Sequence, residues 1–199
     1  VSSSNQHPTD SLYPFYVFND GYDAFRNRVI NDFFRSKEKF TIQDFKDLQN
    51  TTYNKKASDL LPYMFANMDV SSLTRDEQEI LEIIKTWDFN SNTDELAPSI
   101  WDAWWINLYA LIWDEYDAKD AMVLKKPLVY NAISMLKNNP DDPFMDILET
   151  PKQENSHDLF LIAFKKTAQE LNQWKAEHGD YNWQYYKGTY VGHLLQGLP

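Results

Sequence analysis

The sequence predicts a mainly α fold, a multi-helix orthogonal bundle with irregular, aromatic-rich ends. Three observations carry that expectation. Apolar residues recur at helical spacing along most of the 199 residues. Capping-box patterns stand in front of the apolar runs that begin near Thr41 and Thr74. Only five glycines occur, too few for the positive-φ turns that a hairpin-rich β fold consumes. A chain of this length reads as one helical domain over 1–199. It divides into an extended lead-in at 1–20, helices across about 22–178 and an irregular tail at 179–199.

The lead-in holds Pro8, Pro14 and an aromatic run at 13–18. A first helix is expected over 22–36, with Phe25, Val29, Ile30, Phe33 and Phe34 on one stripe. Thr41 and Asp44 form a capping box that opens a second helix, ending near 50. The third, at 56–68, carries Leu60, Leu61, Met64, Phe65 and Met68, and Pro62 is expected to break or kink it. Thr74 and Glu77 make a cleaner capping box, followed at helical spacing by Ile80, Leu81, Ile84 and Trp87.

A polar loop occupies 88–97. Pro98 then suits the first turn of a helix reaching about 116, and Ile100, Trp101, Trp104, Trp105, Leu108, Leu111 and Ile112 make it apolar nearly all round. That distribution predicts a central position. A further helix at 126–137 is stopped by Asn138-Asn139-Pro140. Thr150-Pro151-Lys152-Gln153 predicts the start of a long helix over 151–178, with Gly179 as its left-handed C-cap. Phe160, Phe164, Thr167, Leu171 and Trp174 form its stripe.

Bulk properties exclude several function classes. A formal net charge of −11, with no basic stripe to offset it, disfavours nucleic acid and anionic membrane surfaces as partners. Without cysteine there is neither a disulfide framework nor a thiolate metal site. No run approaches the roughly 18 apolar residues of a membrane span, and no signal peptide is recognisable at the amino end. Aromatics reach 16%, and rings suit contact surfaces as well as cores. Part of the surface is therefore expected to be covered by something else.

Local motifs carry less. His7, His157, His178 and His193 are scattered, with no pair at metal-ligand spacing. The 88–94 segment alternates oxygen side chains as a calcium loop does, but Thr93 replaces its glycine and Ser99 its glutamate, so a solvated loop is the simpler reading. Ser134 and Lys137 match a serine–lysine spacing that chance supplies, and the end of an amphipathic helix accounts for them. The tryptophans at 101, 104 and 105 are core before they are a ligand platform. Asn5 alone would be an ordinary turn residue.

In company, Asn5 says more. Asn5 lies three residues before Pro8, and Tyr13-Pro14-Phe15-Tyr16 follows. Then come Asp23-Ala24-Phe25-Arg26-Asn27-Arg28-Val29-Ile30, Thr41-Ile42-Gln43-Asp44 leading to Leu48-Gln49, and Ala57-Ser58-Asp59-Leu60-Leu61-Pro62. Ile83-Ile84-Lys85-Thr86-Trp87-Asp88, Thr150-Pro151 and Trp183-Gln184-Tyr185-Tyr186 complete the series. In this order and spacing the chain resembles, over essentially its whole length, the penicillin-acylase family of N-terminal-nucleophile hydrolases.

The resemblance implies a helical segment of the β subunit of a self-cleaving amidase. Its substrates would be linear acyl amides, such as β-lactam side chains or N-acyl homoserine lactones. The nucleophile would be a serine at the β-subunit amino terminus, upstream of this segment and distinct from Ser2, Ser3 and Ser4. Asn5 would be an oxyanion-hole donor and Arg26 the arginine that positions it, although Arg28 competes for that alignment. The remainder of the β subunit and the α subunit would be the partners, and the compartment periplasmic or extracellular. The segment alone would be inactive. No cofactor is implied within it, since the family's structural calcium is held mostly elsewhere, and Val17 stands where some members have an aspartate ligand. Gln184 replaces a usual glycine, and Thr51 or Thr52 a common aspartate. A reading from another class is a helical interaction module of a member that has lost catalysis; a missing nucleophile at the autocleavage junction would favour it.

Overall fold

The computed structural model describes residues 4, 9, 12–15, 23–117, 126–189 and 191–192. In chain order its helices are α1 Phe25–Ser36, α2 Ile42–Gln49, α3 Lys55–Asn67, α4 Arg75–Lys85, α5 Ala97–Ile112, α6 Val129–Asn138, α7 Ser156–His178 and α8 Trp183–Lys187. Single 3-10 turns lie at Asp114–Asp117 and Pro143–Met145. Among the described residues the fold is mainly α. Its only β pairing there is an isolated antiparallel bridge between Tyr53 and Asn90.

The pairing of α5 with α7 forms the spine, as an all-round apolar α5 requires. Trp101, Trp104, Leu108 and Ile112 from α5 meet Phe160, Phe164 and Leu171 from α7, all at most 2% exposed. Trp104 stacks edge-on against Phe164 at 4.8 Å, and its indole N–H donates to the Phe160 carbonyl at 3.0 Å. The buried amide of Asn107 donates to the Thr167 hydroxyl at 3.0 Å and to Glu170 at 2.7 Å. A buried polar group so satisfied fixes the two helices in one alignment without a desolvation penalty. Residues of α3, α4 and α6 close the same core.

Both sequence-predicted capping boxes form. Thr41 and Asp44 bond reciprocally at the start of α2, and Thr74 and Glu77 at the start of α4. Four expectations need correction. α3 runs unbroken through Pro62. Leu60, Leu61 and Met64 are fully buried around it, and that burial outweighs the roughly 3 kcal/mol that an interior proline costs. Pro62 itself is exposed, which leaves the carbonyl it cannot serve on the solvent side.

α7 begins at Ser156, not 151. Its cap is Asn155, whose side chain accepts from the His157 and Asp158 N–H groups in a capping box with Asp158. Thr150 instead closes a turn onto Glu154, with its hydroxyl 2.8 Å from a carboxylate oxygen. The tail is not wholly irregular, because α8 interrupts it. The N–H groups of Trp183 and Gln184 donate to Glu95 and Thr93 carbonyls at 2.9 and 3.0 Å, which supplies the partners that a helix start lacks. Gly179 has positive φ as expected, but at φ 94° and ψ −119° it lies outside the left-handed helical region.

α2 stands apart from the main core, which α1 meets through its partly buried Phe25. α2 buries no residue and α1 buries only Asn27. They share a small aromatic cluster in which Phe33 meets Phe40 at 4.9 Å and Phe45 at 6.2 Å. Ion pairs tie α1 to α3: Arg28 binds Asp59 through both terminal nitrogens, and Lys55 reaches Asp32 at 3.0 Å and Asp59 at 3.6 Å.

Candidate functional site

Two clefts flank α1 and share Arg26, Val29 and Tyr53 as a common wall. One, of about 350 Å³, runs between α1 and the start of α3 and includes Asp23, Asn54, Lys56 and Ser91. The other, of about 390 Å³, opens towards α2 and is lined by Ile30, Phe45 and Leu48, with Ser4 at its edge. Helical spacing explains the arrangement. Arg26 and Val29 are three residues apart and share a face, whereas Arg28 lies about 200° around the helix from Arg26.

The two arginines of the motif therefore have different surroundings. Arg28 is committed to Asp59 on the α3 side. Arg26 is exposed and lines both clefts. Asn5 lies outside the described residues; Ser4, the residue before it in the chain, lines the same cleft as Arg26. Val17, His7 and His193 also lie outside them.

The floor of the first cleft is fixed by the bridge between the α2–α3 turn and the loop after α4. The Asn54 N–H donates to the Phe89 carbonyl at 2.7 Å and the Ser91 N–H to that of Thr52 at 3.0 Å. Phe89 takes φ 68° to make this turn. Such a conformation is unfavourable for a bulky residue, and the Trp87 ring at 5.5 Å holds it.

Lys56 is a side chain of this cleft that sequence reasoning did not single out. It is half-buried in this cleft, with Nζ 4.4 Å from the Trp105 ring centroid and 5.6 Å from that of Trp101. Burial pulls its ammonium down to about 8, a shift only partly offset by the more distant Asp102 and Asp23 carboxylates. Its neighbour Lys55 is raised instead, chiefly by its hydrogen bond to Asp32. A signal was present: Lys56, Leu60 and Met64 recur every four residues, which continues the buried stripe of α3 onto a lysine.

The remaining motifs resolve structurally. Asp88 accepts from the Asn90 backbone N–H at 2.8 Å and from its side-chain amide at 2.9 Å, an Asx turn of the kind loops use. Among the described residues no group of three His, Asp or Glu side chains could hold a metal ion. Ser134 accepts from Asn138 at 3.2 Å, while Lys137 donates to the Asp59 carbonyl at 3.3 Å. Trp101, Trp104 and Trp105 are core, and His178 stacks on Trp174 at 4.3 Å.

Among the described residues the fold is a mainly α unit whose two clefts beside α1 hold Arg26, Lys55, Lys56 and Asp23, with Ser4 lining the second. The chain belongs to the penicillin amidase family, whose model matches residues 1–198. No match to a curated protein is found for it. It is accordingly related to amidohydrolases.

Proposed function

We propose that this chain works as the helical part of the β subunit of a penicillin-acylase-type amidase that hydrolyses linear acyl amides. The nucleophile is a serine outside the chain, whose hydroxyl attacks the amide carbonyl while its own α-amino group takes the proton. Asn5 donates its side-chain amide to the oxyanion of the tetrahedral intermediate. Arg26 positions that amide. The observation that carries this reading is the sharing of one cleft by Ser4 and Arg26, while Arg28 is engaged by Asp59.

Exposed aromatics support a role within a larger assembly. Phe15, Tyr130 and Tyr185 are each more than 60% exposed, a poor arrangement for a free surface and a useful one against the rest of the β subunit and the α subunit. The compartment would be periplasmic or extracellular. No metal is assigned a role in this segment.

The full precursor carrying Asn5→Ala tests the proposal. Self-cleavage should proceed, while turnover of a phenylacetylated chromogenic amide falls by about 10²–10³. Arg26→Ala should lower kcat more than it changes KM, and Arg28→Ala should spare kcat. Full turnover in Asn5→Ala would overturn the reading, and so would hydrolysis by the isolated 199-residue chain.

A further inference from the structure

The cleft between α1 and α3 contains a lysine that makes no ion pair among the described residues. Lys56 has no carboxylate within ion-pairing distance among the described residues, and its ammonium rests on the Trp105 and Trp101 rings. Among the described residues the nearby carboxylates have other partners. Asp59 is taken by Arg28 and Lys55, and Asp32 by Lys55. One oxygen of Asp23 accepts the Tyr130 N–H at 2.8 Å. Asp23 and Asp102 therefore act on Lys56 only over longer distance.

A half-buried charge with no ion-pair partner is costly, and ring faces recover only part of that cost. Proteins tolerate such an arrangement where a ligand completes it. We propose that this cleft is a subsite for a small monocarboxylate, with the Lys56 ammonium as its counter-charge.

The surroundings fit that ligand class. Phe25, Val29, Tyr53 and Val129 give the cleft apolar walls for an organic body. Asn54 and Ser91 add hydrogen-bonding groups. Arg26 and Lys55 line the same cleft beside Lys56, so that cationic groups outnumber the single carboxylate of Asp23 there. The first cleft shares the wall Arg26, Val29 and Tyr53 with the second, which Ser4 also lines. Two sources supply this chemistry: the free acid released by amide hydrolysis, or a carboxylate on the amine half of the substrate. The choice of source rests on the amidase reading above; binding of a carboxylate does not.

The test is a titration of the 199-residue chain carrying ¹³Cε-labelled lysine, with the Lys56 resonance identified by its loss in Lys56→Met. The probes are phenylacetate, N-phenylacetylglycine and the neutral N-phenylacetylglycinamide. One or both acids should shift the Lys56 signal saturably and raise its titration midpoint from about 8 towards 10, while the glycinamide leaves it unmoved. Tighter binding of phenylacetate identifies the released acid as the ligand; tighter binding of N-phenylacetylglycine identifies the substrate. Lys56→Met and Lys56→Gln should each weaken acid binding at least about tenfold, and Lys55→Met should change it little. Equal binding of the glycinamide, unchanged affinity in Lys56→Met, or no saturable shift with either acid would each overturn the proposal. Failure of amide hydrolysis in the full protein would sink the amidase reading and leave this result standing.

Discussion

Arg28 holds Asp59 through both terminal guanidinium nitrogens, the second at 3.2 Å, and the pair fastens α1 to α3 across 31 residues of sequence. With Arg28 so engaged, Arg26 is the arginine of α1 that lines both clefts.

A double-mutant cycle on Arg28→Ala and Asp59→Ala should give a coupling of about 0.5–1 kcal/mol. The Arg28 side chain is 46% exposed, so solvent screening holds the pair well below a buried one. Most of the coupling should vanish in 1 M salt. Urea unfolding of the four proteins measures it. A coupling indistinguishable from zero at low salt would mean that α1 is anchored by packing alone.

Lys56→Met should stabilise the chain at neutral pH. A lysine lowered from 10.5 to about 8 binds its proton more weakly folded than unfolded. The penalty is absent above the unfolded value, grows as pH falls from about 10.5 to 8, and is constant below. The shift alone corresponds to roughly 3 kcal/mol, from which the ring contacts subtract about 1–2. The expected gain at pH 7 is about 1–2 kcal/mol, shrinking towards pH 11. Equal benefit at pH 7 and pH 11 would assign it to packing instead of charge.

How far the sequence reveals this molecule depends on the range of the interactions concerned. The capping boxes at Thr41 and Thr74 are contacts over three residues, and both could be read directly. The central place of α5 followed from its lack of a polar face. Pro62 misled because its local penalty is visible, whereas the burial of Leu60, Leu61 and Met64 that overrides it comes from distant helices. Thr150-Pro151 looked like a helix start because its pattern resembles a cap; Asn155 makes the actual one, and Ser156 is held by the Pro140 carbonyl at 2.8 Å. Arg26 could be singled out only through the family resemblance, with Arg28 a competing alignment; the difference in their surroundings, the ion pair of Arg28 to Asp59, lies across 31 residues of sequence. Lys56 needed tertiary structure, since a lysine before an alanine looks like surface until Trp101 and Trp105 pack beneath it.

Asp44 should make the start of α2 sensitive to acid. The Lys37 ammonium, the Thr41 N–H at 2.6 Å and the Thr41 hydroxyl at 2.9 Å pull its carboxyl down to about 2. A carboxyl lowered on folding contributes stability above its unfolded value near 4, and that contribution is lost as pH falls towards about 2. α2 buries nothing, so its fraying need not register in global unfolding. Hydrogen exchange of the α2 amides should be slower in the native protein than in Asp44→Asn at pH 5, with the difference closing by pH 2. A difference that persists unchanged at pH 2 would rule out the carboxylate as its cause.

Gly179 should resist substitution although space surrounds it. A Cβ built there meets nothing within 4 Å, so crowding plays no part. The obstacle is the backbone, since φ 94° with ψ −119° is accessible in practice to glycine alone. This conformation turns the chain out of α7 and returns Tyr181, 3% exposed, to the core ahead of α8. Gly179→Ala is expected to cost about 1–3 kcal/mol, a Tm decrease of about 2–12 °C at this chain length. Gly188 supplies the control. Its φ 58° and ψ 36° are left-handed helical, a region that asparagine enters readily, so Gly188→Asn should cost under about 0.5 kcal/mol. Calorimetry on the two variants separates the cases, and equal decreases in Tm would show that the turn at Gly179 relaxes into an ordinary conformation without loss.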